Sequence, residues 1–334
     1  MQIEEILAGL PSSIEILHGQ QLKSRYNHIW TMDKALDAMA VCLPKTSEEL
    51  ATILSFCNEH KLSIVVHGGL TNLVGATQTK PSDIVISLER MNQIIELDAQ
   101  SKTITVEAGV ILESIHSYLS DSGMMFPLNF GAKGSAQIGG IISSNAGGLR
   151  VFRYGVTRQL VLGLEVVTAD GSILSSMKAL QKDNTGYDIK QLFIGAEGTL
   201  GIITKAVLKL VPQPKSRVSA FLAIDDYQNV LKVLTKLQAS LGGRLTGYEL
   251  IWGATYKVMT SPPAVPKPPL PHGNNYYVLA ELMGNDQARE FEDLQVLLEE
   301  FMMSELVHDA VISQSQSDLT PAGGRERAAA LPRR

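Results

Sequence analysis

Hydrophobic positions along the chain follow both helical and strand periods, and their order predicts a mixed α+β protein. Within Pro44–His60, residues Leu50, Ile53, Leu54 and Cys57 fall on one helical face, after a cap at Thr46 or Ser47. The β-branched runs LSIVV and DIVISL follow this helix and read as short strands. Many short strands with few helices indicate an α+β domain that ends near Pro214.

The hydrophobic pattern changes after Pro214, where longer segments alternate between strand and helix. FLAIDD, GYELIW and NYYVLAELMG read as strands, and two amphipathic segments between and after them read as helices. This alternation predicts an antiparallel α/β sandwich. We therefore divide the chain into an N-terminal helical segment at 1–35, a first domain at 36–214, a partial second domain at 215–317, and a disordered or altered tail at 318–334.

Glycine is concentrated in one stretch between Pro127 and Gly148, with the sequence PLNFGAKGSAQIGGIISSNAGG. Six of the eighteen residues from Gly131 to Gly148 are glycine, against 28 of 334 in the whole chain. Glycine costs about 1 kcal/mol relative to alanine in a helix and buries no side chain, so a packed helix is not expected here. The composition predicts that a large anionic cofactor approaches this backbone closely.

Overall charge and composition exclude several classes of protein. Lys and Arg number 29 against 34 Asp and Glu, a net charge of -5, which gives no basic field for nucleic acid or an anionic membrane. The two cysteines are too few for a disulfide framework. No apolar run approaches the ~20 residues of a membrane span, and the N-terminus does not resemble a signal peptide. We expect a cytoplasmic protein with no integral membrane segment.

A second glycine-rich turn, HGGLTN, follows the strand LSIVV. Gly68 and Gly69 tolerate positive φ, so successive N–H groups can converge on one point and bind phosphate oxygens. A tight turn between two strands is the alternative for this loop taken alone. It matches neither a Walker loop nor the G-x-G-x-x-G turn of a Rossmann fold, which disfavours nicotinamide dinucleotides and P-loop nucleotides.

Three motifs in order carry a family resemblance: HGGLTNLVGA, FGAKGSAQIGGIISSNAGGLRVFRYG and KDNTGYDIKQLFIGAEGTLGIIT. Together they resemble the FAD-binding domain of the vanillyl-alcohol oxidase (PCMH) type, in its D-lactate, glycolate and D-2-hydroxyglutarate dehydrogenase branch. The resemblance covers about residues 40–213 closely and 214–312 more loosely. It implies an FAD-binding domain of two α+β subdomains, followed by a substrate (cap) domain with an antiparallel sheet.

The resemblance also implies which residues hold FAD. The first motif supplies the pyrophosphate loop, the second lies as strand and turn along the flavin, and the third wraps around the cofactor. The implied residues are His67, Gly68, Gly69, Thr71, Asn72, Leu73, Pro127, Gly131, Gly134, Ser135, Gly139, Gly140, Asn145, Gly147, Gly148, Glu197, Gly201 and Ile203. Covalent relatives often have histidine where Thr71 stands, so we expect non-covalent FAD. For His67, a phosphate contact and a strand-end packing role both stay open.

The catalytic groups implied by the resemblance are mostly missing. A G-H-x-G-D-G-N-x-H segment and a later E-H-G segment, which hold a divalent metal such as zinc in the family, do not occur in these 334 residues. His60 and His67 share the family's seven-residue offset, but in a strand they would face opposite sides. Arg153, Tyr154 and Arg325 are the remaining catalytic candidates. For Arg153 and Tyr154, the alternative to a catalytic role is that they only support the loop. For Arg325, the alternative is that it lies in a solvated tail.

These residues lead to two hypotheses about function. The first is an FAD-dependent dehydrogenase that oxidises a D-2-hydroxy acid (D-lactate, glycolate or D-2-hydroxyglutarate) to the 2-oxo acid. It would pass electrons to a separate acceptor: a quinone, an electron-transfer flavoprotein or an iron–sulfur subunit. The second is a flavin-binding subunit or truncated form without independent turnover. Nucleic acid is excluded as a partner, and a homodimer stays open.

Overall fold

The computed structural model of the chain describes residues 3–263 and 268–313, together with the backbone of Ala329 and Ala330. The chain forms two compact units. The first runs to Gly147 and resumes from Val156 to Pro212. The second combines Gly148–Gly155 with the chain from Gln213 onward. A short excursion in the glycine-rich stretch therefore belongs to the second unit.

The helices and strands of both units are numbered in chain order. The helices are α1 (Ile3–Gly9), α2 (Ser47–Glu59), α3 (Leu112–Tyr118), α4 (Ile138–Ser143), α5 (Val151–Tyr154), α6 (Thr157–Leu160), α7 (Lys190–Phe193), α8 (Tyr227–Leu241), α9 (Gly253–Met259) and α10 (Gln287–Met303). The strands are β1 (Glu15–His18), β2 (Ala40–Leu43), β3 (Ile64–His67), β4 (Ile84–Ser87), β5 (Ile94–Asp98), β6 (Thr103–Glu107), β7 (Met124–Met125), β8 (Val161–Val167), β9 (Ile173–Ser176), β10 (Ile202–Lys209), β11 (Val211–Pro212), β12 (Ser216–Ile224), β13 (Leu245–Trp252), β14 (Tyr276–Gly284), β15 (Asp309–Ser313) and β16 (Ala329–Ala330).

Helix α2 confirms the predicted cap and apolar face. The Thr46 hydroxyl accepts a hydrogen bond from the backbone N–H of Glu49 at 3.2 Å, which satisfies one of the free donors at the helix start. Leu50, Ile53 and Leu54 are buried. Both the start of this helix and its buried face are therefore as predicted.

Two larger sheets, beside the two-stranded pair of β7 and β11, build the first unit and confirm the two predicted α+β subdomains. One has the order β1-β2-β4-β3, in which β2, β4 and β3 are parallel and β1 is antiparallel to β2. The other is antiparallel with the order β5-β6-β10-β8-β9, and it contains the hairpin of β5 and β6. Every residue of β2 and β4 is buried, as expected for uninterrupted apolar runs in parallel strands.

An antiparallel sheet of order β13-β14-β12-β15-β16 forms the second unit and confirms the predicted sandwich. In sequence, its main elements repeat strand–helix–strand twice, with α8 and α10 as the long helices. Val233 and Leu237 of α8 and Leu298 and Phe301 of α10 share one buried cluster with the strands. Both helices therefore pack their apolar faces on the sheet.

The structure corrects two expectations about local structure. Residues 138–143 form helix α4, and Gly131–Gly134 form a 3-10 turn, rather than the expected strand and turn. The apolar positions Ile138, Ile141 and Ile142 are buried, which drives the helix despite its glycines. In the described part of the predicted helical segment, residues 3–35, the structure has one α-helix, a 3-10 helix and strand β1. The tail at 318–334 lies outside the described residues, apart from the backbone of β16.

Candidate cofactor site

The turn after β3, here called the glycine loop (Gly68–Asn72), presents unsatisfied backbone donors. Leu70 has φ +56°, the left-handed conformation that turns successive N–H groups toward one point. The backbone N–H groups of Gly69, Leu70 and Thr71 donate no hydrogen bond to any residue that the structure describes. These residues are half-buried, so their N–H groups are accessible, and converging donors of this kind fit an anion such as a phosphate.

The glycine loop meets the second glycine-rich stretch in space. A Cβ placed on Gly69 would lie 1.9 Å from the carbonyl oxygen of Ser135 and 2.9 Å from the Cα of Ala136. Only glycine fits between these backbones. Two motifs more than sixty residues apart thus form one surface, as expected if both serve the same cofactor.

Two glycines of the second motif, of which Gly140 lies beside Gly68, have no packing reason to be glycine. A Cβ on Gly131 or Gly140 would meet no described atom within 4 Å, and neither residue has positive φ. On Gly68 the nearest atom would be the side-chain oxygen of Gln137 at 3.6 Å, an ordinary contact. The surface formed by Gly68, Gly69, Ser135, Gln137 and Gly140 is here called the cradle. A side chain at Gly140 would fill the space in front of it, so glycine there leaves room for a bound group.

Gln137, immediately before α4, carries a buried acceptor without a donor. Its Oε1 atom has no hydrogen-bond partner among the described residues, although it is shielded from solvent. A buried unsatisfied acceptor costs about 1–3 kcal/mol, so such groups usually have a ligand or water partner. Its position beside Gly68 makes Gln137 a candidate cofactor contact that sequence reasoning missed. The only available clue was a polar residue inside the QIGG run.

The third glycine-rich motif is hydrogen-bonded to the C-terminal end of α4. The backbone N–H of Gly195 donates to Ile142 O at 3.1 Å, and that of Glu197 donates to Ser143 O at 2.9 Å. Glu197 itself has φ +52°. The structure therefore brings the first and third motifs together with the part of the second motif that precedes Gly148, all within the first unit.

Other predicted cofactor glycines are needed for protein packing. A Cβ on Gly139 would lie 2.8 Å from the Cβ of Ala108, and one on Gly201 would lie 2.7 Å from Val166 Cγ1. Ile203 is buried in strand β10. The two glycines let neighbouring segments pack closely, and Ile203 fills the core beside them.

His67 is held by the protein rather than free at the loop. Its Nε2–H donates to the carbonyl oxygen of Thr77 at 3.0 Å. Burial lowers the pKa of the imidazole, so the neutral ring is favoured. This geometry favours the strand-end role over the phosphate contact.

The side chains of Asn72 and Asn145 also make hydrogen bonds to nearby loop residues. Asn72 Nδ2 donates to Thr77 Oγ1 at 2.9 Å, and its Oδ1 accepts from the N–H of Ala76 at 3.1 Å. Asn145 Oδ1 accepts from the N–H of Arg158 at 2.9 Å. Both side chains fix turns in the cradle.

Arg158 was missed from sequence because it lies just beyond the second motif. Its guanidinium donates to Gln191 O at 2.8 Å and also to Ile194 O. It thereby ties the turn at Asn145 to the third motif.

The remaining predicted contacts differ in accessibility. Pro127 is buried, Leu73 is exposed, and Gly134 faces the carboxylate of Glu113. Positions with partly or fully accessible surface are Thr71, Ser135, Gly147 and Gly148. Gly148 belongs to the second unit.

Of the catalytic candidates, Arg153 and Tyr154 lie in α5 of the second unit. Arg153 Nη1 donates to Met283 O at 2.9 Å, and its guanidinium carbon lies 5.2 Å from the centroid of the Tyr154 ring. Burial raises the pKa of the Tyr154 phenol. These contacts favour a supporting role. Arg325 lies outside the described residues.

A buried charge cluster, also unforeseen from sequence, ties α5 to the sheet of the second unit. Arg150 Nε donates to Glu281 Oε1 at 3.0 Å, and Thr246 Oγ1 donates to the same oxygen at 2.9 Å. Arg217 Nε lies 2.5 Å from Glu281 Oε2. Burial alone would raise the pKa of Glu281, but the two guanidinium groups outweigh it and hold the pKa below its ordinary value.

No group of three or more metal-ligating side chains occurs among the described residues. His60 Nδ1 donates to Phe56 O at 2.9 Å at the end of α2, while His67 is bound to Thr77. The strand begins only at Ile64, so the pair does not lie on one strand.

An anion-binding loop, an open glycine cradle and a buried lone acceptor define a protein that binds a nucleotide-type cofactor on an α+β scaffold. Residues 38–176 match the model of the FAD binding domain, and residues 213–334 match that of the C-terminal domain of FAD linked oxidases. The chain belongs to the FAD-linked oxidase family. The match to the FAD binding domain supports the predicted cofactor, FAD.

Curated relatives are similar over most of this chain. It is 39% identical over 272 residues to the mitochondrial D-2-hydroxyglutarate dehydrogenase of Arabidopsis thaliana, covering 81% of this chain and 49% of the relative. It is 35% identical over 313 residues to the D-2-hydroxyglutarate–pyruvate transhydrogenase of Saccharomyces cerevisiae, covering 92% of this chain and 62% of the relative. The chain thus spans about half to three fifths of the length of these relatives.

A solved structure of alkyldihydroxyacetonephosphate synthase has the same fold. The TM-score is 0.74 at 16% identity, covering 96% of this chain and 63% of that one. This similarity supports the predicted fold of FAD-binding and cap domains.

The predicted cytoplasmic location is wrong by these comparisons, because the Arabidopsis relative is named as a mitochondrial enzyme. Within the described ranges, no helix is long and apolar enough to cross a membrane.

Proposed function

We propose that this chain is the FAD-binding part of an FAD-dependent dehydrogenase that oxidises a D-2-hydroxy acid to the 2-oxo acid. The observation that carries the proposal is the set of three adjacent N–H groups, Gly69 to Thr71, that have no partner among the described residues. The names of the relatives support the substrate class, with D-2-hydroxyglutarate favoured over D-lactate and glycolate. When bound, FAD supplies the hydride acceptor.

The chain's own residues have binding and positioning roles in this proposal. The N–H groups of Gly69, Leu70 and Thr71 hold phosphate oxygens, and the Gln137 side chain accepts a hydrogen bond from the cofactor. Gly131 and Gly140 leave room for it. Non-covalent attachment is supported by Thr71 in the loop and by the engagement of His67 with Thr77 O.

A second candidate is a flavin-binding part without independent turnover. It is favoured by the contacts of Arg153 and Tyr154, which face Met283 and each other instead of standing free as catalytic groups. In that case substrate binding and proton removal, with a divalent metal such as zinc, would come from segments outside this sequence. The electron acceptor and a homodimer stay predictions.

Anaerobic titration of the FAD-loaded protein separates the two candidates. Loss of flavin absorbance with D-2-hydroxyglutarate, D-lactate or glycolate, and its absence with L-2-hydroxyglutarate and L-lactate, would support the dehydrogenase. Stable FAD binding without bleaching by any of these acids would favour the second candidate. Failure to bind FAD would refute both.

A further inference from the structure

The segment Ser24–Trp30, here called the N-terminal strap, lies beside the glycine loop although it precedes the matched FAD binding domain. Ser24, Arg25 and Tyr26 line one side of a cavity of about 380 Å³. Gly68, Gly69 and Leu70 line the same cavity. Part of the N-terminal segment, which suggested no chemistry by its sequence, thus faces the anion-binding loop.

Hydrogen bonds fix the strap to the loop. His28 Nε2–H donates to Asn72 O at 2.6 Å, and the N–H of Ile29 donates to Leu70 O at 3.3 Å. Thr77 Oγ1 donates to the carbonyl oxygen of Asn27 at 2.7 Å. These contacts reach the middle and the C-terminal end of the loop, and Thr77 beyond it, so the strap holds a defined position beside the loop.

Arg25 places a cation in the wall of this cavity. Its Nη1 and Nη2 atoms donate to the two carboxylate oxygens of Glu89 at 2.6 and 2.9 Å, and Ser87 Oγ donates to Glu89 at 3.0 Å. The Arg25 side chain is 29% exposed, so it is accessible from the cavity. A guanidinium has further N–H donors beyond these two, and Glu89 fixes the plane in which they lie.

We propose that Arg25 binds a phosphate group of the cofactor, opposite the N–H groups of the glycine loop. The loop alone provides partial charges, while a diphosphate carries formal negative charge that a guanidinium matches well. This inference rests on the assignment of FAD. It makes the strap part of the cofactor site, with Arg25 as a binding residue and Glu89 as the group that positions it.

The test compares flavins with and without phosphate on three variants of the full chain. Dissociation constants for FAD and riboflavin are measured with the wild type, Arg25→Met and Glu89→Gln. Arg90→Met is the matched control, because Arg90 makes a similar two-pronged pair with Glu15 on the exposed surface. We expect Arg25→Met to weaken FAD binding by about tenfold, equivalent to one charge-assisted hydrogen bond, without changing riboflavin binding.

Glu89→Gln separates ligand binding from a structural ion pair. Glu89→Gln keeps an oxygen acceptor that can still position Arg25 but removes the negative charge beside the phosphate, so FAD binding is expected to stay unchanged or become tighter. Arg25→Lys is expected to restore part of the affinity that Arg25→Met loses. Equal weakening of both flavins by Arg25→Met and Glu89→Gln would overturn the proposal, as would an unchanged FAD affinity in Arg25→Met. If Arg25→Met does not fold, the FAD and riboflavin dissociation constants of Arg25→Lys and Glu89→Gln still test whether Arg25 binds the phosphate. Absence of FAD binding to the wild type would instead refute the cofactor assignment itself.

Discussion

The glycine loop of the first unit and the charge cluster of the second unit differ in whether their polar groups have partners within the protein. In the loop, the N–H groups of Gly69 to Thr71 have no partner among the described residues. In the cluster, fully buried Glu281 is matched by Arg150, Arg217 and Thr246. The first arrangement leaves backbone donors available to a ligand, whereas in the second the buried carboxylate has its ion-pair partners within the protein.

This difference separates binding residues from scaffold residues better than residue type does. Arginines near a flavin motif are natural candidates for substrate binding. Arg150, however, forms an ion pair with Glu281, and Arg153 donates a hydrogen bond to Met283 O. Glycines look inert, yet Gly131 and Gly140 stand before open space. Free donors and open space, more than charge, mark the cofactor site of this protein.

The largest effect is expected from breaking the charge cluster. Glu281→Ala leaves two buried guanidinium groups without their anion and should destabilise the second unit by about 3–5 kcal/mol. Urea unfolding followed by the fluorescence of Trp252, in a Trp30→Phe background, measures this. Glu300→Ala, which removes an exposed pair with Lys236, is the control and should cost less than about 1 kcal/mol. Similar losses in both would contradict a scaffold role for the cluster.

A smaller but still large effect is expected where the two glycine motifs touch. Gly69→Ala would drive a Cβ into the backbone of Ser135, which cannot move as a flexible side chain could. We expect about 1–3 kcal/mol of destabilisation together with loss of FAD binding. Gly131→Ala, which meets no described atom, is the matched variant and should leave the unfolding midpoint of the apoprotein unchanged. A tolerated Gly69→Ala with normal FAD affinity would contradict the contact.

Gly140→Ala sharpens the comparison because its effects on stability and binding should have opposite signs. Replacing an exposed helical glycine by alanine should stabilise the apoprotein by about 0.5–1 kcal/mol. The added methyl group would occupy the open cradle and weaken FAD binding. Gly139→Ala in the same helix should destabilise instead, since its Cβ would meet that of Ala108 at 2.8 Å. Unchanged FAD affinity in Gly140→Ala would place the cofactor elsewhere.

The smallest predicted effect concerns pH and His67. Burial lowers the folded-state pKa of His67 below its ordinary value of 6.5. The unfolded chain then binds the proton more readily, so His67 contributes stability above this value that is lost as the pH falls through it. Comparing urea unfolding at about pH 7.5 and about pH 5.5 should show a smaller loss in His67→Gln, which keeps a donor for Thr77 O. An unchanged pH dependence in that variant, with His308→Gln as control, would contradict this origin.

Much of the fold could be predicted from periodicity, while much of the site depended on contacts distant in sequence. The face of α2 and the β5–β6 hairpin follow from local patterns. The helical state of residues 138–143 was missed because tertiary burial of Ile141 and Ile142 outweighs the poor helix propensity of glycine. Motif resemblance located the glycine loop.

Partners that come from elsewhere in the chain have no local signature. Arg25 precedes the matched domain, and its relation to the loop depends on Glu89, 64 residues away. The link between Arg150 and Glu281 spans 131 residues. Sequence alone could therefore nominate motif residues but could not tell which of them were free to bind.

Amide hydrogen exchange across the glycine loop tests the central claim most directly. The N–H groups of Gly69, Leu70 and Thr71 should exchange rapidly in the apoprotein, because they lack protein partners, and should become protected when FAD is added. A peptide from α8 in the second unit serves as the reference. Protection of the loop by FAD, and less by riboflavin, is the predicted result. FAD binding with unchanged exchange in this loop would contradict it.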